Sequence, residues 1–336
     1  MGTTGQRELI ESLQRKIDES LVPYLPGIEE LILLDFPNHA NVGDSAIYAG
    51  ELAFFNKKLF ARPSIVSDTI NVPWERIAAS SKNDPIFLHG GGNFGDLWPQ
   101  HQEFRESVLR RFPGRLVIQL PQSIHYSDTR KISQTAQVIR EHGNFVLLVR
   151  DDASYEIAKN NFRCEVKRSP DMAFHLGPLK VPQQPEHELL LLLRNDREKR
   201  REEPDNALSL PLGTVVTDWL DDKKAMKAGA KAATAIKALL RNETGRMSVR
   251  RNYYEILAMN RLQRGVRLLS SGGFIITDRL HVHIISILLD IQHVVLDNNY
   301  GKVSRFIDLW TNGFTKMTQA ESLSRALDLY KSTEAR

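Results

Sequence analysis

The residues best equipped for chemistry in this chain stand where short apolar runs end. In Gly273-Phe-Ile-Ile-Thr-Asp-Arg-Leu-His281 a β-branched run passes into a helical pattern at Leu280, Ile284, Ile287 and Leu288. Asp278 is the expected N-cap of that helix. A first turn holding Arg279 and His281 offers free backbone N–H groups, the positive end of the helix dipole, a permanent cation and a titratable imidazole. That set suits an anion with a proton donor beside it. The alternative is that Arg279 pairs with a carboxylate and His281 is a satisfied core histidine. Arg150 follows the apolar run Phe145–Val149, where a guanidinium meets either a carboxylate, with Asp151 and Asp152 next in sequence, or a ligand anion. Lys302 stands at a helix start, where it meets a phosphate or simply faces solvent. His281 and His283 are two apart and point to different faces of a helix, so they do not form a metal pair, and no metal cluster is expected.

The first half holds a second group of polar candidates. The run Leu31–Phe36 reads as a strand covered on both faces, followed by the loop Pro37–Asp44 and a helix from Ser45 to Phe55, capped by Asp44 or Ser45. In open α/β sheets such loops carry ligands, so Asn38, His39, Asn41 and Asp44 are expected to line a cleft; Asn and Asp are also ordinary turn formers. The strand Pro85–His89 ends in Gly90-Gly-Gly-Asn-Phe-Gly-Asp96, which has the spacing G-x-G-x-x-G. The strand after it, Arg115–Pro121, ends without the acidic residue a ribose needs, and the motif is not on the first strand. The glycines suggest instead backbone in close approach to a ligand, with His89, Asn93 and Asp96 supplying directional hydrogen bonds.

Alternating strands and helices must position these residues. With 336 residues, 41% hydrophobic and 26% charged, the chain can bury two cores and is expected to fold as two domains. Residues 1–180 form the first, opened by an amphipathic helix over 7–22, and residues 187–336 the second, with strands at Leu189–Leu193, Thr214–Thr217, Phe274–Thr277 and Val294–Asp297. Helices are expected at Lys223–Leu240 and Tyr253–Leu269. The Pro- and Gly-rich stretch 176–186 is the linker between them, and the amphipathic Gln319–Tyr330 is placed to cross back onto the first domain. The fold class is α/β: two Rossmann-like parallel-sheet domains facing a cleft.

A formal charge of +4 lacks the dense basic stripe of a nucleic-acid binder, and the run Arg194–Arg201, interleaved with acids, reads as a solvated loop. The lone Cys164 excludes an internal disulfide and points to a reducing compartment. With no apolar run long enough to span a bilayer and no signal-peptide layout, a cytoplasmic protein is expected, at most touching the inner face of the membrane.

Six motifs in this order carry a resemblance: Asn38-His-Ala-Asn-Val-Gly-Asp44, His89-Gly-Gly-Gly-Asn-Phe-Gly-Asp96, Arg150-Asp, Ser169-Pro-Asp171, Thr277-Asp-Arg-Leu-His281 and Asp297-Asn-Asn-Tyr-Gly-Lys302. From about Leu31 to Leu309 the chain resembles the polysaccharide pyruvyl transferases. The resemblance implies a two-domain fold similar to the GT-B glycosyltransferases. It also implies transfer of a pyruvyl group from phosphoenolpyruvate to a sugar hydroxyl pair, as a ketal, with no cofactor. Arg150, Arg279 and Leu280 match the family's donor-site motifs, with Lys302 added on the donor side. His281 matches the Arg-Leu-His histidine and suits the acid that protonates the vinyl carbon, with Arg150 beside it in the catalytic set. Asn41, Asp44, His89, Asn93 and Asp96 are the candidates for the acceptor, a polysaccharide or its lipid-linked precursor. Two other functions use the same architecture: a nucleotide-sugar glycosyltransferase, and a non-catalytic glycan or anion sensor.

Overall fold

The computed structural model describes residues 4–194, 210–220, 222, 224–297 and 301–334. Two parallel sheets organise the chain. The first is built from β1 (Ile32–Leu34), β2 (Ile65–Val66), β3 (Ile86–Leu88), β4 (Gly91–Gly95), β5 (Val117–His125), β6 (Phe145–Val149) and β7 (Glu165–Arg168). Its helices are α1 (Thr4–Leu21), α2 (Val42–Leu59), α3 (Trp74–Ala79), α4 (Pro99–Arg111), α5 (Thr129–His142) and α6 (Asp152–Asn161). The second sheet contains β8 (His187–Leu192), β9 (Val215–Thr217), β10 (Gly272–Thr277), β11 (His293–Leu296) and β12 (Met317–Ala320). Around it stand α7 (Lys224–Arg241), α8 (Arg246–Ser270), α9 (Leu280–Leu289), α10 (Lys302–Phe306) and α11 (Leu323–Glu334).

Strand order explains where a ligand must go. The first sheet runs β2-β1-β3-β5-β6-β7, with β4 added beside β5, so the chain reverses direction between β1 and β3. The second runs β12-β11-β10-β8-β9 and reverses between β8 and β10. At such a switch point the loops leaving the carboxyl ends of adjacent strands diverge and open a crevice. Asp35 and His89 leave the first crevice; Arg194, Asp278 and Arg279 leave the second.

Period-two alternation divides the core. Ile32, Leu34, Ile86 and Leu88 point into a cluster under α4 and α5, whereas Leu33 and Phe87 point the other way. Leu190 and Leu192 of the second sheet join Leu33 and Phe87 in one continuous core, while Leu189 and Leu191 pack on Ala326, Leu327 and Tyr330 of α11. The halves are therefore joined by apolar packing. Tyr254 of α8 stacks on Phe36 with ring centroids 3.9 Å apart. Gly265 of α8 lies so close to Val42 that a Cβ there would sit 2.3 Å from Val42 Cγ1. Gln6 of α1 donates to the carbonyls of Ile287 (2.6 Å) and Leu288 (3.0 Å), closing the end of α9 from the other half.

Several expectations are corrected. Gln319–Tyr330 does not cross back: it divides into β12, paired to β11, and α11, which covers its own sheet. The helix α1 packs on the first half and also reaches the second. Helix α2 starts at Val42, earlier than Ser45, because Asn41 caps it by accepting from the Gly43 N–H. Helix α8 starts two turns before Tyr253. Gly91 and Gly92 of the glycine run after β3 open strand β4 and not a loop, and Gly92 lines the cleft; at Gly95 (φ 113°), further along β4, a Cβ would lie 1.9 Å from the His125 carbonyl, so there the close approach is to β5. Residues 195–201 of the basic run lie outside the described residues. Among the described residues no helix is long and apolar enough to cross a membrane.

Candidate active site

A cleft of about 640 Å³ opens between the two switch points. Asn41, Asp44, His89, Asn93 and Arg150 line it from the first half, and Arg279, Leu280 and His281 from the second.

Asp171 joins the two sides. It follows β7 and caps a short 3-10 turn, Met172–Leu176, by accepting from the Ala173 N–H at 2.9 Å. Its Oδ2 accepts from Arg150 Nη1 at 2.5 Å and lies 3.3 Å from His281 Nε2. Burial pushes the Asp171 carboxyl up, yet His281, Arg150 and the Ala173 N–H outweigh it and hold it far below the usual carboxylate range. An ionised carboxylate therefore fixes the guanidinium and the imidazole together. Arg150 is further held by Ser123 Oγ, which accepts from Nε at 2.9 Å, and its carbonyl accepts from Trp310 Nε1 at 2.9 Å. No protein group among the described residues accepts from its Nη2. The carboxylate expected for Arg150 was Asp151 or Asp152, but Asp151 caps α6 through the Ser154 N–H and Asp152 pairs with Arg168.

On the second half, Arg279, not Asp278, is the N-cap of α9, and no side chain caps that helix. Asp278 instead accepts from the Arg194 N–H at 2.8 Å, and burial pushes its carboxyl up. Leu280 and His281, the first residues of α9, line the cleft, and among the described residues no carboxylate caps their N–H groups. Arg279 is 4% exposed and donates to Asp218 Oδ2 at 2.7 Å, so a carboxylate partner exists in the loop after β9. Lys302 opens α10 as expected, but its side chain lies outside the described residues. His281 packs over the start of α2: a Cβ on Gly43 would lie 2.5 Å from its Nδ1. His283 points away into the core, between His293 (2.8 Å) and Thr311 (2.8 Å).

The opposite wall is a histidine and carboxylate cluster. His89 is 1% exposed; its Nδ1 lies 2.9 Å from both oxygens of buried Glu51, which also accepts from the Gly90 N–H. Among the described residues its Nε2 has no hydrogen-bond partner, and the residue lines the cleft. Burial pushes this imidazole down, but Glu51 more than offsets it and leaves it above the ordinary histidine value. Asp44 takes the Asn41 amide at 2.7 Å and stands 3.6 Å from His39; despite burial, His39, His281 and His89 hold its carboxyl below the usual range. Asn93 is fixed by Arg105 (2.8 Å) and Gln122 (2.9 Å). Asp96 is not brought to the cleft: it accepts the N–H groups of Ser127 and Asp128, tying β4 to the start of α5. Among the described residues no group of three His, Cys, Asp or Glu side chains is placed to hold a metal ion.

Sequence reasoning gave no role to Asp171, Glu51, Asp35 or His101. Asp35 is in the left-handed region (φ 70°), where its carboxylate takes His101 Nδ1 at 2.8 Å. Asp171 closes the Ser169-Pro-Asp171 motif of the family resemblance, which carried no role for it; for Asp35 the signal was its position directly after an apolar run.

The sequence model of the polysaccharide pyruvyl transferase family matches residues 41–300. The chain belongs to this family. Pyruvyl transferase 1 of Schizosaccharomyces pombe is 31% identical over 91% of this chain and 76% of its own length. A Bacillus subtilis protein named "Putative pyruvyl transferase EpsO" is 32% identical over 90% of this chain and 91% of its own. The fold also matches a crystal structure of a functionally uncharacterised protein from Klebsiella pneumoniae, with a TM-score of 0.61 at 20% identity, covering 92% of this chain and 99% of that one. Membership of the family makes the chain a transferase and assigns it to polysaccharide pyruvylation.

Proposed function

We propose that the chain transfers the pyruvyl group of phosphoenolpyruvate to two hydroxyls of one sugar, closing a cyclic ketal and releasing inorganic phosphate. The observation that carries this reading is Asp171 holding Arg150 of one half and His281 of the other in a single cleft, with Arg279 and an uncapped helix start alongside. The donor presents a carboxylate and a phosphate, which two guanidinium groups and the α9 N–H groups neutralise. His281 gives a proton to the vinyl carbon, so the adjacent carbon becomes cationic and bonds to the first hydroxyl oxygen. The proton of that hydroxyl passes to His89 Nε2, whose basicity Glu51 supports. The second hydroxyl oxygen then displaces phosphate from the same carbon. One hydroxyl proton replaces the one spent on the methyl group, and the other leaves with phosphate. A glycan or its lipid-linked precursor is the acceptor in this reading, with Asn41, Asp44, His89 and Asn93 on its side of the cleft.

Purified protein incubated with phosphoenolpyruvate and a glycan bearing neighbouring hydroxyls tests it. Phosphate release that depends on the glycan, with a new ketal methyl signal by proton NMR, is the expected result. Release of nucleoside diphosphate from a sugar nucleotide, or donor binding with no phosphate release under any acceptor, contradicts it.

A further inference from the structure

Helix α7 shows its apolar side to solvent. It touches α8 through the buried Ala230, Thr234 and Ala238, one narrow stripe of small residues. With 3.6 residues per turn, the opposite face carries Ala225, Ala228, Ala232, Ile236, Leu239 and Leu240, all exposed and none charged. Ile236 is 58% exposed, Leu239 76% and Leu240 82%, which is far outside what an aliphatic side chain on a packed helix shows. Lys224 and Lys231, both exposed, border the apolar face on one side; Lys237, on the other, donates to Glu255 of α8 at 3.2 Å, and α7 contains no Asp or Glu.

We infer that α7 docks on the surface of an anionic lipid bilayer, its apolar face in the acyl boundary and its lysines among the headgroups. A large apolar face bordered by lysines is the pattern of an interfacial helix. Charge decides between this and a second copy of the chain. Two α7 helices face to face bring together the exposed Lys224 and Lys231 of each, four cations with no acid on either helix. The start of α7 is also fixed beside the cleft. Asp222 accepts from Arg261 and Arg264, and those arginines donate in turn to the carbonyls of Pro37 (3.0 Å) and Ala40 (2.6 Å), both at the cleft wall. Leu220, 39% exposed, belongs to both the cleft and the approach to α7. A chain lying on α7 holds the cleft mouth near the headgroups, where a lipid-linked acceptor presents its sugars. That last consequence rests on the pyruvyl-transfer reading; the membrane docking does not.

Co-sedimentation of the full chain with vesicles tests the docking. Vesicles of phosphatidylcholine with phosphatidylglycerol are expected to bind it, pure phosphatidylcholine much less, and added salt to weaken the binding. The variant Ile236→Asp/Leu239→Asp/Leu240→Asp, checked by circular dichroism for retained helix, is expected to lower partitioning by roughly tenfold or more. Lys224→Gln/Lys231→Gln, which leaves the apolar face intact, is expected to lower it by a similar factor on anionic vesicles only. Pyruvyl transfer to a soluble acceptor is expected to be unchanged in both. Failure of wild-type protein to bind anionic vesicles overturns the inference. A dimer by light scattering that the Asp variant dissociates also overturns it, because it gives the face to a second copy.

Discussion

Asp171 answers to partners 21 and 110 positions away in sequence, and this is what assembles the site. Replacing it by Asn leaves the Arg150 guanidinium buried without a counter-charge, which costs about 3–5 kcal/mol. The pH dependence of that loss follows from the sign of the shift. A carboxyl held below its ordinary value contributes stability that is fully present above the unfolded value near 4 and is lost as pH falls through the folded one. The gap in urea-unfolding free energy between wild type and Asp171→Asn is therefore expected not to narrow between pH 8 and pH 5 and to narrow below about 4. A gap that closes between pH 8 and 5 contradicts the assignment. By the same reasoning Arg150→Ala is expected to lose stability, since this arginine also neutralises Asp171. Arg150, Arg279 and His281 were legible in the sequence because a cation after a buried strand needs a reason. Asp171, an Asp after a Pro in a turn, was not, since turns use Asp routinely and its partners are remote in sequence.

At the scale of elements, α9 does two jobs with alternate residues. His281 faces the cleft, while His283, two positions on, joins His293 in the core of the second half. Burial keeps both buried imidazoles neutral: His293 is pushed down to about 4, and His283 well below its ordinary value by burial and by His293. In the unfolded chain both take a proton as pH falls through about 6.5. Stability is thus complete above that pH and is lost progressively as pH drops from about 6.5 towards 4, because only the unfolded state binds protons there. Thermal melts from pH 7 to 4 are expected to show that decline, and His283→Gln, though less stable at pH 7, is expected to show a shallower one. An unchanged slope would mean that other groups set it. The apolar periodicity of α9 was readable, and so was the divergence of its two histidines. Its cap was not, because Asp278 satisfies the usual cap composition but spends its carboxylate on Arg194.

In the whole molecule, the apolar contact of α8 with α2 and of α1 with α9 makes one continuous core from two sheets. Halves joined this way lack the polar, lightly packed interface that favours independent domains. Scanning calorimetry is expected to show a single transition, and Tyr254→Ala, which empties the stack on Phe36, is expected to lower its temperature without splitting it. Two resolved transitions in wild type contradict this. The alternation of strands and helices made two parallel sheets legible from sequence. The crossing of α1 was hidden because an amphipathic helix states that it packs, not where.

In the proposed reaction the proton for the vinyl carbon comes from His281. Its replacement by Gln keeps Arg150, Arg279 and the α9 N–H groups, so phosphoenolpyruvate binding, followed by calorimetric titration, is expected to persist within a few-fold. Single-turnover phosphate release with saturating donor and glycan is expected to fall by roughly 10²–10⁴-fold, the share of a general acid. His283→Gln, matched for temperature below its melt, is expected to retain turnover. Undiminished phosphate release by His281→Gln, or its loss in His283→Gln instead, contradicts the account.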